Sequence, residues 1–470
     1  MAHEKLNALI DSWQDEIFAT LKRWIAIESL GTQRTAENAP FGDAVRSALD
    51  LFLADAAQMG FETLDVDGYC GHAQYGSGEK TLGILGHLDI VPPGEGWTQD
   101  PLGGEIVDGK CYGRGTIDDK GPLLGALFAM RAVKEAGIEL ADAVRVIAGC
   151  DEETGMTDMA YYKTKVAPPD YGFSPDAEYP LINIEKGGLN LVLSAPIESR
   201  AGEMQIVSMH AGERCNVVPG VAEAVVMCGD IEGLAAKLGE IEASHEGFLL
   251  HAEALPDGMA KIAATGVGAH ASLPHLGVNA AGMLLVALGE LSAPAAVCAL
   301  AKKIGMEHDG YSLGIAIADE LSGALTCNLG ILRCDGRTLE ITLDIRYPLA
   351  ADEQTMCGQA CMALSGDGIA VMRDGGHVPL HVPADHKVVK GLLEVYHEQT
   401  GLPAYAMAIG GGTYSRTMPS TVAFGINFPG DPDPCHMPDE FVYVDKFMLS
   451  IKVMAHAIAK LAGKQDAVPA

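Results

Sequence analysis

The sequence is short of positive charge, and this shortage excludes two classes of partner. Only 32 lysine and arginine residues stand against 63 aspartate and glutamate residues, which gives a formal net charge of -31 at pH 7. Such a negative chain repels nucleic acids and anionic membrane surfaces, so we expect neither as a partner.

Long apolar runs and paired cysteines are also missing. No stretch reaches the roughly 20 apolar residues that a transmembrane helix needs, and the charged, amphipathic N-terminal segment lacks the apolar core of a signal peptide. The 11 cysteines are odd in number and include no C-x-x-C pair. Free thiols in a reducing compartment are the simplest interpretation, and we therefore predict a cytoplasmic protein.

The length of the chain and the alternation of its elements predict two domains. A chain of 470 residues, 48% of them hydrophobic, is too long for one ordinary domain and can bury substantial cores. Residues 5–28 are a predicted helix, residues 80–91 and 142–150 are predicted strands, and Pro122 and Gly137 bound a helix between those strands. Strands that alternate with helices indicate an α/β fold whose sheet is mixed, mainly parallel and flanked by helices.

The middle of the chain has a different character. Residues 188–380 contain many short strands and fewer clear helices, whereas residues 381–470 return to the α/β style. We therefore predict an outer domain made of residues 1–187 and 381–470, with an α+β domain of residues 188–380 inserted into it. Two stretches of similar appearance, 214–226 and 326–343, indicate two tandem α+β units within the insertion.

A histidine and an aspartate end the predicted strand 80–91. His87 and Asp89 are two positions apart, which places both side chains on one face of an extended chain. A carboxylate behind a histidine fixes the tautomer of the ring, as a metal-bound histidine requires. An ordinary polar loop would contain the same pair, so the motif alone leaves both interpretations open.

Acidic pairs follow at two further strand or helix ends. Asp118 and Asp119 precede a predicted helix, where one aspartate would serve as the N-cap and a second carboxylate could bridge two cations. Glu152 and Glu153 follow a predicted strand. Their charges repel each other in isolation, whereas beside a cation one can be a ligand while the other accepts a proton from water. A solvated turn is the alternative for this second pair.

Two loops complete the candidate set. One is a Pro-flanked turn, GFSPDAEYP, and the other, FPGDPDPCHMPDE, is too rich in proline for a helix or strand. Singly, the aspartate of the first and the histidine of the second would be surface residues. If Asp118 bridges, two divalent cations each receive three protein ligands and keep an open position. The mixed nitrogen and oxygen set suits zinc, with manganese or cobalt as competitors: His87, Asp118, Glu153, Asp176 and His436.

The order of eight short motifs resembles the M20 family of metallopeptidases, and within it the dipeptidases of the PepV type. In chain order these motifs are GHLDIVPPGEGW, GRGTIDDKGP, DEETG, GFSPDAEYP, NVVPG, GVGAHAS, GGGTYSR and FPGDPDPCHMPDE. The resemblance runs nearly end to end. It implies a catalytic α/β domain with an inserted lid domain and two bound metal ions.

The resemblance also implies how the metal ligands are shared. His87, Asp118 and Asp176 would hold one metal ion. Asp118, Glu153 and His436 would hold the other, so that Asp118 would bridge the two. Zinc is the expected metal, and manganese and cobalt are the alternatives.

Catalytic and substrate-binding roles are implied as well. Asp89 would orient the metal-bound histidine, Glu152 would be the general base and then the acid, and the peptide bond before Asp119 would be cis. His270 in GVGAHAS would stabilise the oxyanion, and Arg346 would bind the substrate carboxylate. Further substrate contacts are implied for a small set of side chains and backbone groups: Asp119, Asn216, Gly411 and Gly412.

Hydrolysis of a dipeptide with a free carboxyl end is the function that this resemblance predicts. The long insertion favours a monomer, with a homodimer as the alternative. An N-acyl amino acid deacylase or desuccinylase of the same fold is the first alternative function, because it also cleaves an amide beside a carboxylate. An inactive metal-dependent binding protein is the second alternative, and the presence of both Glu152 and His270 argues against it.

Overall fold

A computed structural model describes residues 2–464, and the chain divides into two compact units. The first unit runs to Ile184 and includes Leu380–Met407 and the chain from Gly412 onward; the second comprises Glu185–Pro379 and Ala408–Gly411. Among residues 2–464, no helix combines the length and apolar character needed to cross a membrane.

Helices and strands alternate along most of the chain. The α-helices are α1 (Ala2–Ser12), α2 (Gln14–Ile25), α3 (Asp43–Gln58), α4 (Lys120–Ala136), α5 (Thr157–Lys165), α6 (Ile231–Ser244), α7 (Ala280–Glu290), α8 (Ala295–Lys303), α9 (Glu353–Leu364), α10 (Lys387–Thr400) and α11 (Val444–Ala462). The strands up to the end of the first segment are β1 (Glu62–Val66), β2 (Cys70–Tyr75), β3 (Thr81–His87), β4 (Ile106–Val107), β5 (Lys110–Tyr112), β6 (Ala143–Gly149), β7 (Tyr171–Ser174), β8 (Ala177–Glu178) and β9 (Ile182–Glu185). The later strands are β10 (Gly187–Pro196), β11 (Ile206–Ala211), β12 (Val221–Met227), β13 (Leu250–Leu255), β14 (Met259–Thr265), β15 (Ala318–Asp319), β16 (Gly323–Ala324), β17 (Thr326–Cys334), β18 (Thr338–Tyr347), β19 (Ala370–His377), β20 (Leu380–His381), β21 (Met407–Ile409), β22 (Thr421–Ala423), β23 (Ile426–Asn427) and β24 (Phe441–Tyr443).

The first predicted helix is divided in two, so the prediction of one helix over residues 5–28 was wrong. α1 ends at Ser12, and α2 begins after Trp13. The Ser12 hydroxyl donates to the carbonyl of Leu9 at 2.7 Å, and the Trp13 N–H bonds the carbonyl of Ile10 at 3.1 Å. These bonds to residues three positions earlier tighten the turn and interrupt the regular ladder.

A mixed sheet organises the first unit. Its strand order is β1-β2-β6-β3-β7-β22-β9-β20, with β21 paired to β9. The central neighbours β6, β3, β7 and β22 run parallel, whereas β1 and β2 add antiparallel pairs at one side. This confirms the predicted α/β class, and it brings the carboxyl ends of the central strands to one edge.

Helices α4 and α11 cover the central strands with apolar side chains. Leu123, Leu127 and Phe128 of α4 are fully buried in the core of the first unit, as are Ile451 and Met454 of α11. α4 ends as predicted at Gly137, which adopts the left-handed conformation with φ 72° that glycine tolerates. α4 is buried from its first turn onward, so the N-terminal end of this helix packs in the protein interior.

An eight-stranded antiparallel sheet organises the second unit, beside the short two-stranded pair β15–β16. Its strand order is β13-β14-β12-β11-β17-β18-β10-β19, and one hydrophobic core includes side chains from the strands and from α6, α7, α8 and α9. Each half contains a hairpin, β11–β12 or β17–β18, that is followed by a helix and a further strand. Since the halves share one sheet, the tandem origin of this unit stays a prediction.

Candidate active site

The candidate metal ligands of the first unit follow from the sheet topology. β3 ends at His87, the loop after β6 carries Glu153, and the loop after β7 carries Asp176. β6, β3 and β7 are adjacent and parallel, so these three ends meet at one edge of the sheet. Asp118 lies next to Asp119, the N-cap of α4, and His436 lies in the loop before β24.

The carboxylate of Asp118 lies between the two histidines. Its Oδ1 is 2.9 Å from Nε2 of His87, and its Oδ2 is 2.9 Å from Nε2 of His436. The His436 nitrogen is also 3.1 Å from Oε1 of Glu153, and the His87 nitrogen is 3.7 Å from Oδ2 of Asp176. All five predicted ligands are therefore gathered within one site, although their role as ligands stays a prediction.

Negative charge is crowded at this edge. Burial, together with the nearby Asp118 charge, raises the pKa of Asp176 to about 7, and burial raises the pKa of Glu152 well above its ordinary value. Burial disfavours ionisation of Asp118 too, yet its close contacts with His436 and His87 hold its pKa well below its usual range. Positive charge is therefore attracted to the position between the carboxylates.

The donor set fits divalent cations. Nε2 of His87 is buried and lies near Asp118, but it makes no hydrogen bond of acceptable geometry, and buried polar atoms are seldom left unpaired. The ligand atoms of His87, Asp118 and Glu153 lie within 4.8 Å of one another. Imidazole nitrogen and carboxylate oxygen are the donors that zinc, manganese and cobalt accept. The crowded acids are stabilised once a cation lies among them.

Asp119 contacts the protein backbone beside the site. Its Oδ2 accepts a hydrogen bond from the N–H of His87 at 2.9 Å, and its side chain is fully buried. A Cβ atom at Gly86 would lie 2.2 Å from the same oxygen, so only glycine leaves room for this contact. The Asp118–Asp119 peptide bond is cis, as the resemblance implied. The substrate contact suggested for Asp119 stays a prediction.

Asp89 has more contacts than the sequence suggested. Nδ1 of His87 lies 2.8 Å from the backbone carbonyl oxygen of Asp89 and 3.5 Å from the nearest oxygen of its carboxylate. The carboxylate also accepts the backbone N–H groups of Glu152 and Glu153, at 3.2 and 3.1 Å. Asp89 therefore contacts both the histidine ring and the backbone of the glutamate pair, and its orienting role stays a prediction.

Two residues that the sequence reasoning missed also hold the loop before the glutamate pair. Asp158 of α5 accepts the N–H of Cys150 at 2.6 Å and that of Asp151 at 3.2 Å, and it accepts the hydroxyl of Tyr414. The Tyr414 hydroxyl occupies the space where a Cβ at Gly149 would lie, 2.1 Å away. The motif GGGTYSR was the available signal for Tyr414, but only its glycines had been given a role.

A buried ion pair joins the segments that carry the candidate ligands Asp118 and His436. Glu440 accepts the N–H groups of Gly115, Ile117 and Asp118 at 2.9, 3.0 and 3.3 Å. Its other oxygen accepts a hydrogen bond from Arg114, and both side chains of this pair are at most 1% exposed. Arg114 also donates to the carbonyls of Pro93 and Met437 at 3.4 and 3.3 Å, which ties the His436 loop to the Asp118 loop.

Replacing Glu440 with glutamine is expected to destabilise the protein because the buried Arg114 loses its counter-ion. Breaking such a pair costs about 3–5 kcal/mol of unfolding free energy. The double variant Glu440→Gln/Arg114→Met should lose less than the sum of its single variants, since no unpaired charge remains. Urea unfolding measures both effects.

The matched control for this prediction is the exposed pair between Lys22 and Glu105, whose side chains are 53% and 61% exposed. Glu105→Gln should change the unfolding free energy by less than about 1 kcal/mol. Equal losses for Glu440→Gln and Glu105→Gln would contradict the importance of the buried pair.

The second unit contains its own group of predicted site residues. His270 forms an isolated β-bridge with Val217, and the carbonyl of Asn216 accepts the N–H of Ala271 at 2.9 Å. Nδ1 of the His270 ring lies 2.6 Å from the hydroxyl of Ser272. The buried Asn328 donates to the carbonyls on either side of Asn216, those of Cys215 and Val217, at 3.1 and 3.0 Å. This amide was not predicted from the sequence.

Arg346 is held by an aspartate that the sequence reasoning had passed over. Its Nε and Nη2 donate to the two carboxylate oxygens of the buried Asp344, at 2.6 and 2.8 Å, and its Nη1 donates to the carbonyl of Gly410 at 3.3 Å. A Cβ at Gly410 would lie 2.5 Å from Cβ of Ser272. Gly411 ends this segment of the second unit, and Gly412 begins the return to the first.

Comparison with known proteins identifies relatives over nearly the whole chain. The family model described as Peptidase family M20/M25/M40 matches residues 83–460. The chain is 36% identical over 462 residues to YtjP of Bacillus subtilis (strain 168), covering 96% of this chain and 98% of that protein. It is likewise 36% identical over 470 residues to the Beta-Ala-Xaa dipeptidase of Lactobacillus delbrueckii subsp. lactis, covering 97% and 98%. Human carnosine dipeptidase 1 has a similar fold, with a TM-score of 0.62, 16% identity and 98% of each chain covered.

Proposed function

Because the chain belongs to peptidase family M20/M25/M40 and is a metal-dependent peptide hydrolase of that family, we propose that it is a dipeptidase. The observation that carries this proposal is the gathering of two histidines and three carboxylates at one sheet edge, with Glu152 beside them. The name of the Lactobacillus relative, at 36% identity, supports a dipeptide substrate.

Two divalent cations are the proposed cofactors, zinc first, with manganese and cobalt as competitors. His87, Asp118 and Asp176 would hold one, and Asp118, Glu153 and His436 would hold the other. When bound, such cations polarise the scissile carbonyl and make water more acidic. Asp118 is suited to the shared position because each of its oxygens faces a different histidine.

Glu152 is the proposed general base and acid. Its carboxylate would take a proton from the attacking water and return it to the leaving amine. Burial raises its pKa well above the ordinary value for a glutamate, and the charges of Asp176 and Glu153 act in the same direction against the opposing effect of His87. A raised pKa makes the carboxylate a stronger base, which favours its taking a proton from water.

Recognition of the substrate carboxylate is proposed for Arg346. A guanidinium has five N–H donors, and the bonds to Asp344 and Gly410 use three of them. The bond to Asp344 fixes the planar fork, so that less conformational entropy is lost when a carboxylate binds the remaining donors. Asn216 and the N–H groups of Gly411 and Gly412 are proposed to assist, and His270 is proposed to stabilise the oxyanion.

A reducing compartment, the cytoplasm, is the proposed location, and a monomer is the proposed state. The 11 cysteines are all free, and five of them are buried. Unpaired thiols of this number are typical of proteins kept in reducing surroundings.

A substrate panel tests the proposal. Protein loaded with zinc, manganese or cobalt should hydrolyse free dipeptides, and a chelator should abolish the reaction. C-terminally amidated dipeptides should be poor substrates, because they lack the carboxylate that Arg346 is proposed to bind. N-acetylated dipeptides, tripeptides and N-succinyl amino acids should be cleaved slowly if at all. Cleavage of only the acylated compounds would contradict the dipeptidase assignment in favour of a deacylase, and inactivity with every metal would contradict both.

A further inference from the structure

A thiol belongs to the same cluster as the proposed metal ligands. Sγ of Cys435 is 2.9 Å from Oδ2 of Asp118, the oxygen that also lies 2.9 Å from Nε2 of His436. The sulfur, carboxylate oxygen and imidazole nitrogen of these three residues lie within 4.8 Å of one another. Cys435 is thus placed where a cation held by Asp118 and His436 would meet it.

The local backbone directs this thiol into the site. The N–H of Cys435 donates to the carboxylate of Asp433 at 3.0 Å, which fixes the turn before the cysteine. His436 then adopts φ 61°, in the left-handed region that residues other than glycine seldom occupy and that occurs at functional sites. The consecutive side chains of Cys435 and His436 consequently reach the same carboxylate oxygen.

A second observation at the same carboxylate also fits a cation site. Nε2 of His87 is buried without an acceptable hydrogen bond, although it is 2.9 Å from Oδ1 of Asp118. Asp118 therefore has the buried imidazole nitrogen of His87 on one side and a thiol with a second imidazole on the other. This arrangement of nitrogen, oxygen and sulfur donors is the kind that binds a transition metal ion.

We propose that Cys435 is an additional ligand of the cation bound by Asp118 and His436, and that it makes this position selective for thiophilic metals. The inference rests on the proposed metal site and goes beyond the ligand set assigned above. Sulfur is a soft donor that favours zinc or cadmium over manganese. On binding, the S–H bond breaks and the Sγ–metal bond forms, while the proton is released to the solvent.

Spectroscopy of the 470-residue chain tests this assignment directly. Chelator-treated wild type, Cys435→Ser and Cys361→Ser are each titrated with Co²⁺ or Cd²⁺ while ultraviolet absorption is followed for sulfur-to-metal charge transfer. Cys361 is exposed on α9 of the second unit, and it provides the matched control. Wild type and Cys361→Ser should show the charge-transfer band, and Cys435→Ser should lack it.

A competition between Cd²⁺ and Mn²⁺ gives the second readout. Residues that contact only the metal ligands contribute about 10–100-fold to metal affinity. A direct ligand should contribute at least as much, so Cys435→Ser should lower the preference for Cd²⁺ over Mn²⁺ by at least about tenfold. If the variant does not fold, X-ray absorption of the Co²⁺-loaded wild type still reports whether sulfur is bound to the metal.

The outcomes separate this inference from the proposed function. Dipeptide hydrolysis by wild type without a charge-transfer band, or a band that persists in Cys435→Ser, overturns the role of Cys435 and leaves the dipeptidase intact. A band that depends on Cys435 in a protein that cleaves no dipeptide supports the thiol ligand and contradicts the proposed function.

Discussion

The Glu152→Gln variant is expected to lose about 10²–10⁴-fold in kcat for dipeptide hydrolysis, which is the usual contribution of a general acid–base group. Glutamine keeps the shape of the side chain but cannot take a proton from water. Metal content should be unchanged, because Glu152 is not among the proposed ligands, and KM should change little. Steady-state kinetics with zinc-loaded protein, together with metal analysis, measures these quantities.

Glu62→Gln is the control for this variant. Glu62 lies exposed on β1 of the same unit, so the substitution removes the same charge from a position without a role in the site. Its kcat should equal that of wild type. A Glu152→Gln enzyme that retains full kcat would show that another group transfers the proton.

Asp118→Asn is expected to remove both cations and, with them, the hydrolytic activity. The substitution removes the negative charge that both histidines contact. It also leaves the two cations with weaker donors at this position. Because partners outside the ligand shell already contribute about 10–100-fold to metal affinity, the loss for a shared ligand should exceed about a hundredfold. Metal analysis after dialysis against limiting zinc, with a hydrolysis assay on the same samples, measures the effect.

Asp15→Asn serves as the control for Asp118→Asn, since Asp15 is exposed in the first turn of α2. Far-ultraviolet circular dichroism should show that both variants fold. Retention of one tightly bound zinc ion by Asp118→Asn would mean that the two metal positions do not share this residue.

The fold class could be predicted from the sequence because local patterns determine it. Apolar runs such as 81–87 and 143–149, separated by an apolar helix, specify buried parallel strands whatever their detailed packing. The break between α1 and α2 could not be predicted, because the amphipathic pattern continues across it. A hydrogen bond from the Ser12 hydroxyl to the Leu9 carbonyl accompanies the break. Such local bonds compete with the regular bonds of a helix, and the apolar pattern does not show them.

The ligand candidates were predictable for a related reason. His87 and Glu153 follow buried strands, and side chains at the carboxyl ends of neighbouring parallel strands are brought together by the sheet itself. Asp176 and His436 had no such periodic signal and were identified only as members of a set. Residue types and positions were therefore predictable, whereas the distances between the side chains required the structure.

The supporting contacts could not be predicted from the sequence. Glu440 bonds Arg114 across 326 positions of the chain, and Tyr414 bonds Asp158 across 256. No local pattern relates residues so far apart, and Glu440 lies in a loop without periodicity. Asp344 and Arg346 are two positions apart on β18. Polar residues often have this spacing in strands, so it did not indicate the bidentate bond between them. Such partners become visible only when tertiary packing brings them together.

The most direct test of the account is a count of cations bound per chain while dipeptide hydrolysis is followed. Chelator-treated protein is titrated with zinc, free and bound metal are separated by equilibrium dialysis, and the rate is measured at each point. We expect two zinc ions per chain at saturation and no hydrolysis by the metal-free protein. Saturation at one ion or none, or full hydrolysis by the metal-free protein, would contradict it.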